Sequence, residues 1–259
     1  MSIIKIISTQ SLHILQVGRR KEEASMGKWF VTGDCHGNLN RIIQFIQKFS
    51  LGEDDHIIVC GDMGLYWRKD MVDAKENIKT YEAMCHGVQL WWIDGNHENF
   101  DIINKLKEND MIECSPHITY MGRGVCMDTE IGTMLFMGGA DSVDKILRTE
   151  HLSWWKDETI TEDDIAGIRG HFDFVFSHAC PYSIFKQNKV QLCTLNNINE
   201  NNAIHESEKT LEQLRVNITY NYWFFGHYHV DKHMWPTRDM CQERCVYNDF
   251  VEIDMGDPE

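Results

Sequence analysis

Residues 28–38 read KWFVTGDCHGN, where a short apolar run ends at a glycine that is followed by Asp34 and His36. The run WFVT at 29–32 has the length and composition of a buried strand. Glycine at the end of a strand lets the backbone turn sharply and approach a ligand closely. The segment therefore predicts a strand whose carboxyl end carries two side chains that can bind a metal.

Four further apolar runs, HIIVC, VQLWWI, FDFVFS and NYWFF, are followed closely by Asp, Asn or His, in three cases beside a glycine. The residues after these runs are Asp62, Asn96, His97, His178, His227 and His229. Each one alone would fit a helix cap or a packed histidine. Because ligand sites in α/β sheets form at the carboxyl ends of the strands, the repeated pattern favours convergence on one site.

Helical patterns lie between the runs, and this alternation predicts an α/β fold with parallel strands. Helices are predicted at 38–49, 71–86, 100–108, 143–156, 161–169 and 205–216. Glycine-separated strands at 117–128 and 132–140 indicate antiparallel pieces, a last strand pair is expected near 244–254, and the polar run 196–202 indicates a loop. We divide the chain into an accessory or disordered extension (1–26) and a single domain (27–259).

Composition limits the classes of function. The net charge of −15 argues against long nucleic acid as a partner, because such binding needs clustered Lys and Arg. No apolar stretch approaches the length of a membrane span, so no membrane partner is expected. Nine cysteines without a CxxC pair fit a reducing cytoplasm better than a disulfide framework. No feature indicates an oligomeric state.

The candidate ligands select the kind of metal. Oxygen and imidazole donors without thiolate suit Mn²⁺, Fe or Zn²⁺. The residues are too many for one ion with an open position, and they suit two divalent ions that share a carboxylate. Such a pair could activate a bridging hydroxide for attack on phosphorus. Bound cations would also let an acidic protein handle a phosphate ester.

The motifs D-x-H, G-D, G-N-H-E, a lone His and G-H-x-H, in this order, resemble those of the calcineurin-like metallophosphoesterase superfamily over about 28–254. A narrower resemblance is to small bacterial or phage phosphoesterases often described as protein phosphatases. The resemblance implies a four-layer α/β/β/α sandwich of two mixed sheets. It also implies a first metal held by Asp34, His36, Asp62 and His229, and a second held by Asp62, Asn96, His178 and His227.

The resemblance gives His97 a catalytic role, either protonating the leaving group or stabilising the transition state. The sequence departs from the phosphatase motif G-D-x-x-D-R-G, because Leu65 and Tyr66 stand where that motif has Asp and Arg. Arg68 and Arg148 are candidates for binding the substrate phosphate, since guanidinium matches phosphate oxygens in pairs. A solvated position for Arg68 and a packing role for Arg148 are the alternatives.

The leading hypothesis is a hydrolase that cleaves a small phosphate ester, a nucleotide or a phosphoprotein. The missing phosphatase Asp and Arg favour the first two substrates, and a phosphodiesterase or nucleotide hydrolase is the alternative to a monoesterase. A hypothesis of another class is a non-catalytic metal-binding scaffold. Such a protein would be expected to lack ligands or His97, whereas all are present.

Overall fold

The computed structural model describes residues 3–7, 12–16, 27–68, 71–106, 111–193, 206–237 and 241–253. The strands are β1 (Ile3–Ile7), β2 (Leu12–Gln16), β3 (Trp29–Thr32), β4 (His56–Val59), β5 (Gln89–Trp92), β6 (Met111–Ser115), β7 (Ile118–Met121), β8 (Val125–Thr129), β9 (Gly132–Met137), β10 (Gly170–Ser177), β11 (Ile218–Phe225), β12 (Lys232–His233), β13 (Gln242–Cys245) and β14 (Val251–Ile253). The helices are α1 (Leu39–Phe49), α2 (Val72–Met84), α3 (Phe100–Leu106), α4 (Tyr182–Cys193) and α5 (Glu206–Asn217).

The strands form two mixed sheets. One has the order β14-β3-β4-β5-β7-β6, and the other has the order β12-β13-β11-β10-β9-β8-β1-β2. In the first sheet β3, β4 and β5 are parallel, and in the second β9, β10 and β11 are parallel. Each sheet therefore has a block of parallel strands whose carboxyl ends lie side by side.

Alternation along the strands divides the apolar residues among three cores, because successive side chains face opposite sides of a sheet. In β10, Phe174 and Phe176 lie in the core between the two sheets, whereas Val175 lies in the core beneath α4 and α5. In β4, Ile58 faces the other sheet and Ile57 faces α1, α2 and α3. Both faces of both sheets are thus covered by apolar contacts.

These three cores separate four layers, so the expected α/β/β/α sandwich of two mixed sheets is confirmed. Helix α1 illustrates why the outer layers form, since Leu39, Ile42, Ile43 and Ile46 repeat at helical spacing and are all buried. Within the part of the chain that the structure describes, no helix is both long and apolar enough to cross a membrane.

Some predicted elements are wrong. The expected helices at 143–156 and 161–169 are turns, with 3-10 segments only at Lys145–Leu147 and Lys156–Glu158. The backbone there forms separate turns instead, as when the Leu147 N–H donates to the Asp144 carbonyl at 2.8 Å and the Ser153 N–H to the Thr149 carbonyl at 2.9 Å. Helix α4 was not predicted.

The last two strands, β13 and β14, belong to different sheets and do not form the expected pair. The predicted loop at 196–202 lies outside the described residues.

Strands β1 and β2 pair with each other, and β1 pairs with β8 through Ile6 and Met127. The division of the chain at residue 26 stays a prediction.

A buried ion pair ties the turn between β7 and β8 to the end of β5 and to the turns that follow β9. Arg123 donates through Nε and Nη2 to Asp94 Oδ2 at 3.0 and 2.7 Å, and through Nη1 to the Thr159 carbonyl at 3.0 Å. Asp94 is fully buried, and Arg123 burial is nearly complete. The pair therefore fixes the chain just before Asn96.

We expect Arg123→Met to lower the free energy of unfolding by about 3–5 kcal/mol, since it leaves the buried Asp94 carboxylate without its cation. Urea titration followed by circular dichroism measures this. The matched control is Arg169→Met, because Arg169 is exposed and, among the described residues, its side chain bonds to its neighbour's carbonyl and to no carboxylate. Equal stabilities of the two variants would contradict a structural role for the pair.

Candidate functional site

The side chains predicted for the site converge where the parallel blocks of the two sheets end. Asp34, Asp62 and Asn96 follow β3, β4 and β5, while His178 and His227 follow β10 and β11. Several of the residues have left-handed backbone, which is costly for non-glycine residues by about 1–2 kcal/mol each. The φ angles are 38° at Asp34, 46° at His36, 47° at Asp62, 67° at His227 and 52° at His229. Such strain is typical of functional sites.

One group of donors comprises Asp34, His36, Asp62 and His229, whose ligand atoms all lie within 4.8 Å of one another. His229 Nε2 lies 3.3 Å from Asp34 Oδ1 and 3.1 Å from His36 Nε2. His36 Nδ1 is 4.0 Å from Asp62 Oδ2. This is the set that the resemblance assigns to the first metal.

A second group shares Asp62 with the first. His178 Nε2 lies 3.3 Å from Asp62 Oδ1 and 3.2 Å from Asn96 Oδ1. His227 Nδ1 lies 3.0 Å from the same amide oxygen. The Asp62 carboxylate thus stands between the two groups, with Oδ1 toward one and Oδ2 toward the other.

Bonds around these groups fix the direction of each donor. The His178 Nδ1–H donates to the Cys60 carbonyl at 2.8 Å, which directs Nε2 toward Asp62. The backbone N–H of His227 donates to both oxygens of Asp34, at 3.2 and 3.1 Å. Gly226 permits this approach, since a Cβ there would lie 2.6 Å from Asp34 Oδ2.

The amide nitrogen of Asn96 is positioned by residues that the sequence did not identify. Its Nδ2 donates to Ser142 Oγ at 3.1 Å, and that hydroxyl donates to Glu158 Oε2 at 2.9 Å. Trp154 Nε1 donates to the other Glu158 oxygen at 2.9 Å. Ser142 comes after β9, just as the predicted site residues come after their strands, so its position in the sequence could have identified it. Glu158 lies in the 3-10 segment Lys156–Glu158, and no sequence pattern indicates its role.

The buried carboxylates and imidazoles alter one another's pKa values. Burial alone would raise the pKa of Asp62, but the neighbouring imidazoles, His178 above all, hold it well below its usual range. Burial alone would lower the pKa of His178, but the Asp62 carboxylate raises it to about 10. Burial and the Asp62 carboxylate raise the pKa of Glu98 to about 8, against the effect of the Gly64 and Gly95 N–H groups, which donate to its two oxygens.

The donor set fits divalent cations. Carboxylate, amide and imidazole donors are the ligands of Mn, Fe and Zn ions. His36 and His229 face each other in the first group, and His178 and His227 both face Asn96 Oδ1 in the second, so each group offers lone pairs that a cation would satisfy. The Asp62 carboxylate between the groups suits a shared ligand.

The remaining predicted residues differ in position. His97 lies at the site, with its N–H on Asp62 Oδ1 at 2.8 Å and its Nε2 4.0 Å from Asp62 Oδ2. Arg148 reaches it, since Nη2 donates to His97 Nε2 at 3.0 Å while Nε pairs with Asp144 at 2.6 Å. Burial and the Arg148 cation lower the pKa of His97 against the pull of Asp62. Arg68 instead pairs with Asp73 at 3.6 Å near the surface.

Another cluster of possible ligands, Glu82, Cys85 and His117, occurs elsewhere among the described residues. Its carboxylate is already used, because Glu82 Oε2 lies 2.6 Å from His117 Nδ1 and Oε1 accepts the His117 N–H at 3.1 Å. Burial also raises the pKa of the Cys85 thiol. We therefore interpret this cluster as a tie between α2 and the turn before β7.

The sequence profile of the calcineurin-like phosphoesterases matches residues 28–231, most of the chain. The chain belongs to the calcineurin-like phosphoesterase family. This phosphoesterase is therefore a metal-dependent hydrolase, and its family has a dinuclear site for divalent ions. No curated protein matches its sequence.

Solved structures provide further likenesses for this phosphoesterase. It is similar to a phosphopantetheinyl hydrolase (PptH) from Mycobacterium tuberculosis at 13% identity and a TM-score of 0.41, over 86% of this chain and 90% of that one. It is also similar to GAP50, the anchor in the inner membrane complex of Plasmodium, at 8% identity and a TM-score of 0.41, over 85% of this chain and 71% of that one.

We expect Gly61→Ala to weaken binding of Mn²⁺ by about 10–100-fold, the usual effect of disturbing residues that orient ligands. An added Cβ at Gly61 would lie 2.2 Å from His178 Nδ1 and would displace that ring. Calorimetric titration with Mn²⁺ measures the affinity.

Gly170→Ala is the matched control, since Gly170 has a φ of 113°, also left-handed, but a Cβ there meets nothing within 4 Å. It carries the backbone strain without the clash. Metal affinity that falls equally in both variants would show that strain, and not the position of His178, is responsible.

Proposed function

We propose that the phosphoesterase hydrolyses a small phosphate ester or nucleotide at a centre of two divalent cations. Asp34, His36, Asp62 and His229 would hold one cation, and Asn96, His178 and His227 would hold the other with Asp62 shared. The observation that carries the proposal is the convergence of these donors from two sheets, with Asp62 between the two groups. When bound, the cations would supply Lewis acidity toward phosphate oxygens and a nucleophilic water at neutral pH.

His97 is proposed as the catalytic residue. Its backbone N–H is anchored on Asp62, while its side chain stays partly exposed beside the donors. A ring in this position can reach the oxygen of a departing alcohol, where it would either protonate that oxygen or stabilise the charge of the transition state.

Arg148 is proposed to bind the phosphate. Its guanidinium is largely buried, paired with Asp144, and directed at His97 through Nη2. A planar cation held in this way can donate to two phosphate oxygens at once. Arg68 is the weaker proposal, because its contact with Asp73 leaves it beside the donors and not among them.

The segment after Asp62 favours a small ester over a phosphoprotein. Leu65 and Tyr66, which replace the Asp and Arg of the phosphatase motif, are buried in the core beneath α1, α2 and α3. The Tyr66 ring packs 6.0 Å from that of Trp92. The guanidinium that faces the site therefore comes from Arg148, on a different segment from the phosphatase arginine.

We expect the Mn²⁺-loaded protein to hydrolyse p-nitrophenyl phosphate or bis(p-nitrophenyl) phosphate, and the preferred ester distinguishes a monoesterase from a diesterase. His97→Ala should lower kcat by about 10²–10⁴-fold, since it removes the side chain that assists the departing oxygen, while leaving Mn²⁺ binding intact. His171→Ala is the control, because His171 is exposed at the start of β10, at the opposite end of that strand from His178. If neither ester is hydrolysed in the presence of Mn²⁺, Fe²⁺ or Zn²⁺, the proposed function is wrong.

We expect Arg148→Lys to raise KM for the preferred ester by about tenfold, because lysine cannot replace a paired contact to phosphate. Steady-state kinetics at saturating Mn²⁺ separate KM from kcat. The control, Arg244→Lys, changes an arginine that pairs instead with His233 and Asp249. An unchanged KM in Arg148→Lys would return Arg148 to a packing role.

A further inference from the structure

A cavity of about 450 Å³ opens beside the candidate metal centre. His36 and His97 line one side of it. The other side comes from the segment after Asp62 and from the first turns of α2, through Leu65, Trp67, Ala74 and Glu76. A group attached to a phosphate at the donors would extend into this space.

Trp67 gives the cavity an aromatic wall. Its ring stacks on the His97 imidazole, with centroids 5.1 Å apart and planes inclined by 22°. The side chain is 40% exposed, which leaves indole surface for a ligand. Leu65 and Ala74 also line the cavity, but each is only 2% exposed, so Trp67 offers far more apolar surface than they do.

The charges on the cavity do not suit an anion. Arg68 lines the cavity, but it pairs with Asp73 at 3.6 Å, and Glu76 adds a second carboxylate. An additional phosphate in this space would meet these two carboxylates and a cation that is already engaged. An uncharged group would meet mainly the indole surface of Trp67 without such a cost.

We propose that this cavity binds the organic group of the ester and selects an uncharged, planar aromatic one, with Trp67 as the residue that determines specificity. The inference rests on the proposed function, because it takes the phosphate to lie at the donors. A flat ring would stack on the indole, and the ester oxygen would then lie next to His97. The substrate class is thus a phosphate ester of an aromatic alcohol, not a pyrophosphate or a polyphosphate.

The test compares benzyl phosphate with ethyl phosphate, whose alcohols differ little as leaving groups, by phosphate release from the Mn²⁺-loaded full chain. We expect kcat/KM to favour the benzyl ester by about tenfold, the scale of an aromatic contact. Trp67→Ala should abolish that preference and Trp67→Phe should retain it. Trp235→Ala is the control, because Trp235 is 62% exposed and does not line the cavity.

Binding of benzylphosphonate and ethylphosphonate, measured by calorimetry, separates this inference from the proposed activity. If neither ester is hydrolysed, the proposed function fails, and the ratio of the two phosphonate affinities still decides the role of the cavity. A benzyl preference that Trp67→Ala does not change overturns the inference. So does binding of 4-carboxybenzylphosphonate as tight as that of benzylphosphonate, because Asp73 and Glu76 should repel it.

Discussion

Two carboxylates, those of Asp34 and Asp62, carry buried negative charge that the surrounding structure must offset. Both are almost fully enclosed at the edge where the sheets meet, and a buried negative charge is tolerated only when nearby groups offset it. The surrounding imidazoles and the His227 N–H provide that offset within the protein. The glycines next to them are required because no Cβ fits, as at Gly95, where it would lie 2.2 Å from Asp62 Oδ1.

The features that the sequence predicted well are those written into short local patterns. Apolar runs that end in Gly-Asp or Gly-His identified the central strands of both sheets, and alternation within them explains three separate cores. The convergence of the ligands followed from a general rule about parallel strands, without any knowledge of which strands are neighbours. Metal type was limited by the chemistry of the donors alone.

Other features depend on contacts between distant residues, and local patterns do not report them. The stretch near 143–156 has helical apolar spacing, yet Ile146 and Leu147 are 89% and 82% exposed. The Arg148 side chain, which lies within this stretch, bonds instead to the carbonyls of Asn96 and Ser153, and the first of these contacts forms only in the folded chain. Helix α4 has little amphipathic pattern and is stabilised by packing on the second sheet, through Ile184 and Leu192. The role of Ser142 toward Asn96 is likewise a product of tertiary structure.

The contact between His36 and His229 joins residues that are 193 positions apart. Bringing these two residues together costs the entropy of closing a long loop, and only the pairing of strands in both sheets offsets that cost. The set of donors is complete only when β11 lies beside β10, because His227 and His229 follow β11. Cation affinity is therefore a property of the completed fold, and bound metal would stabilise the finished molecule selectively over every shorter or half-folded form.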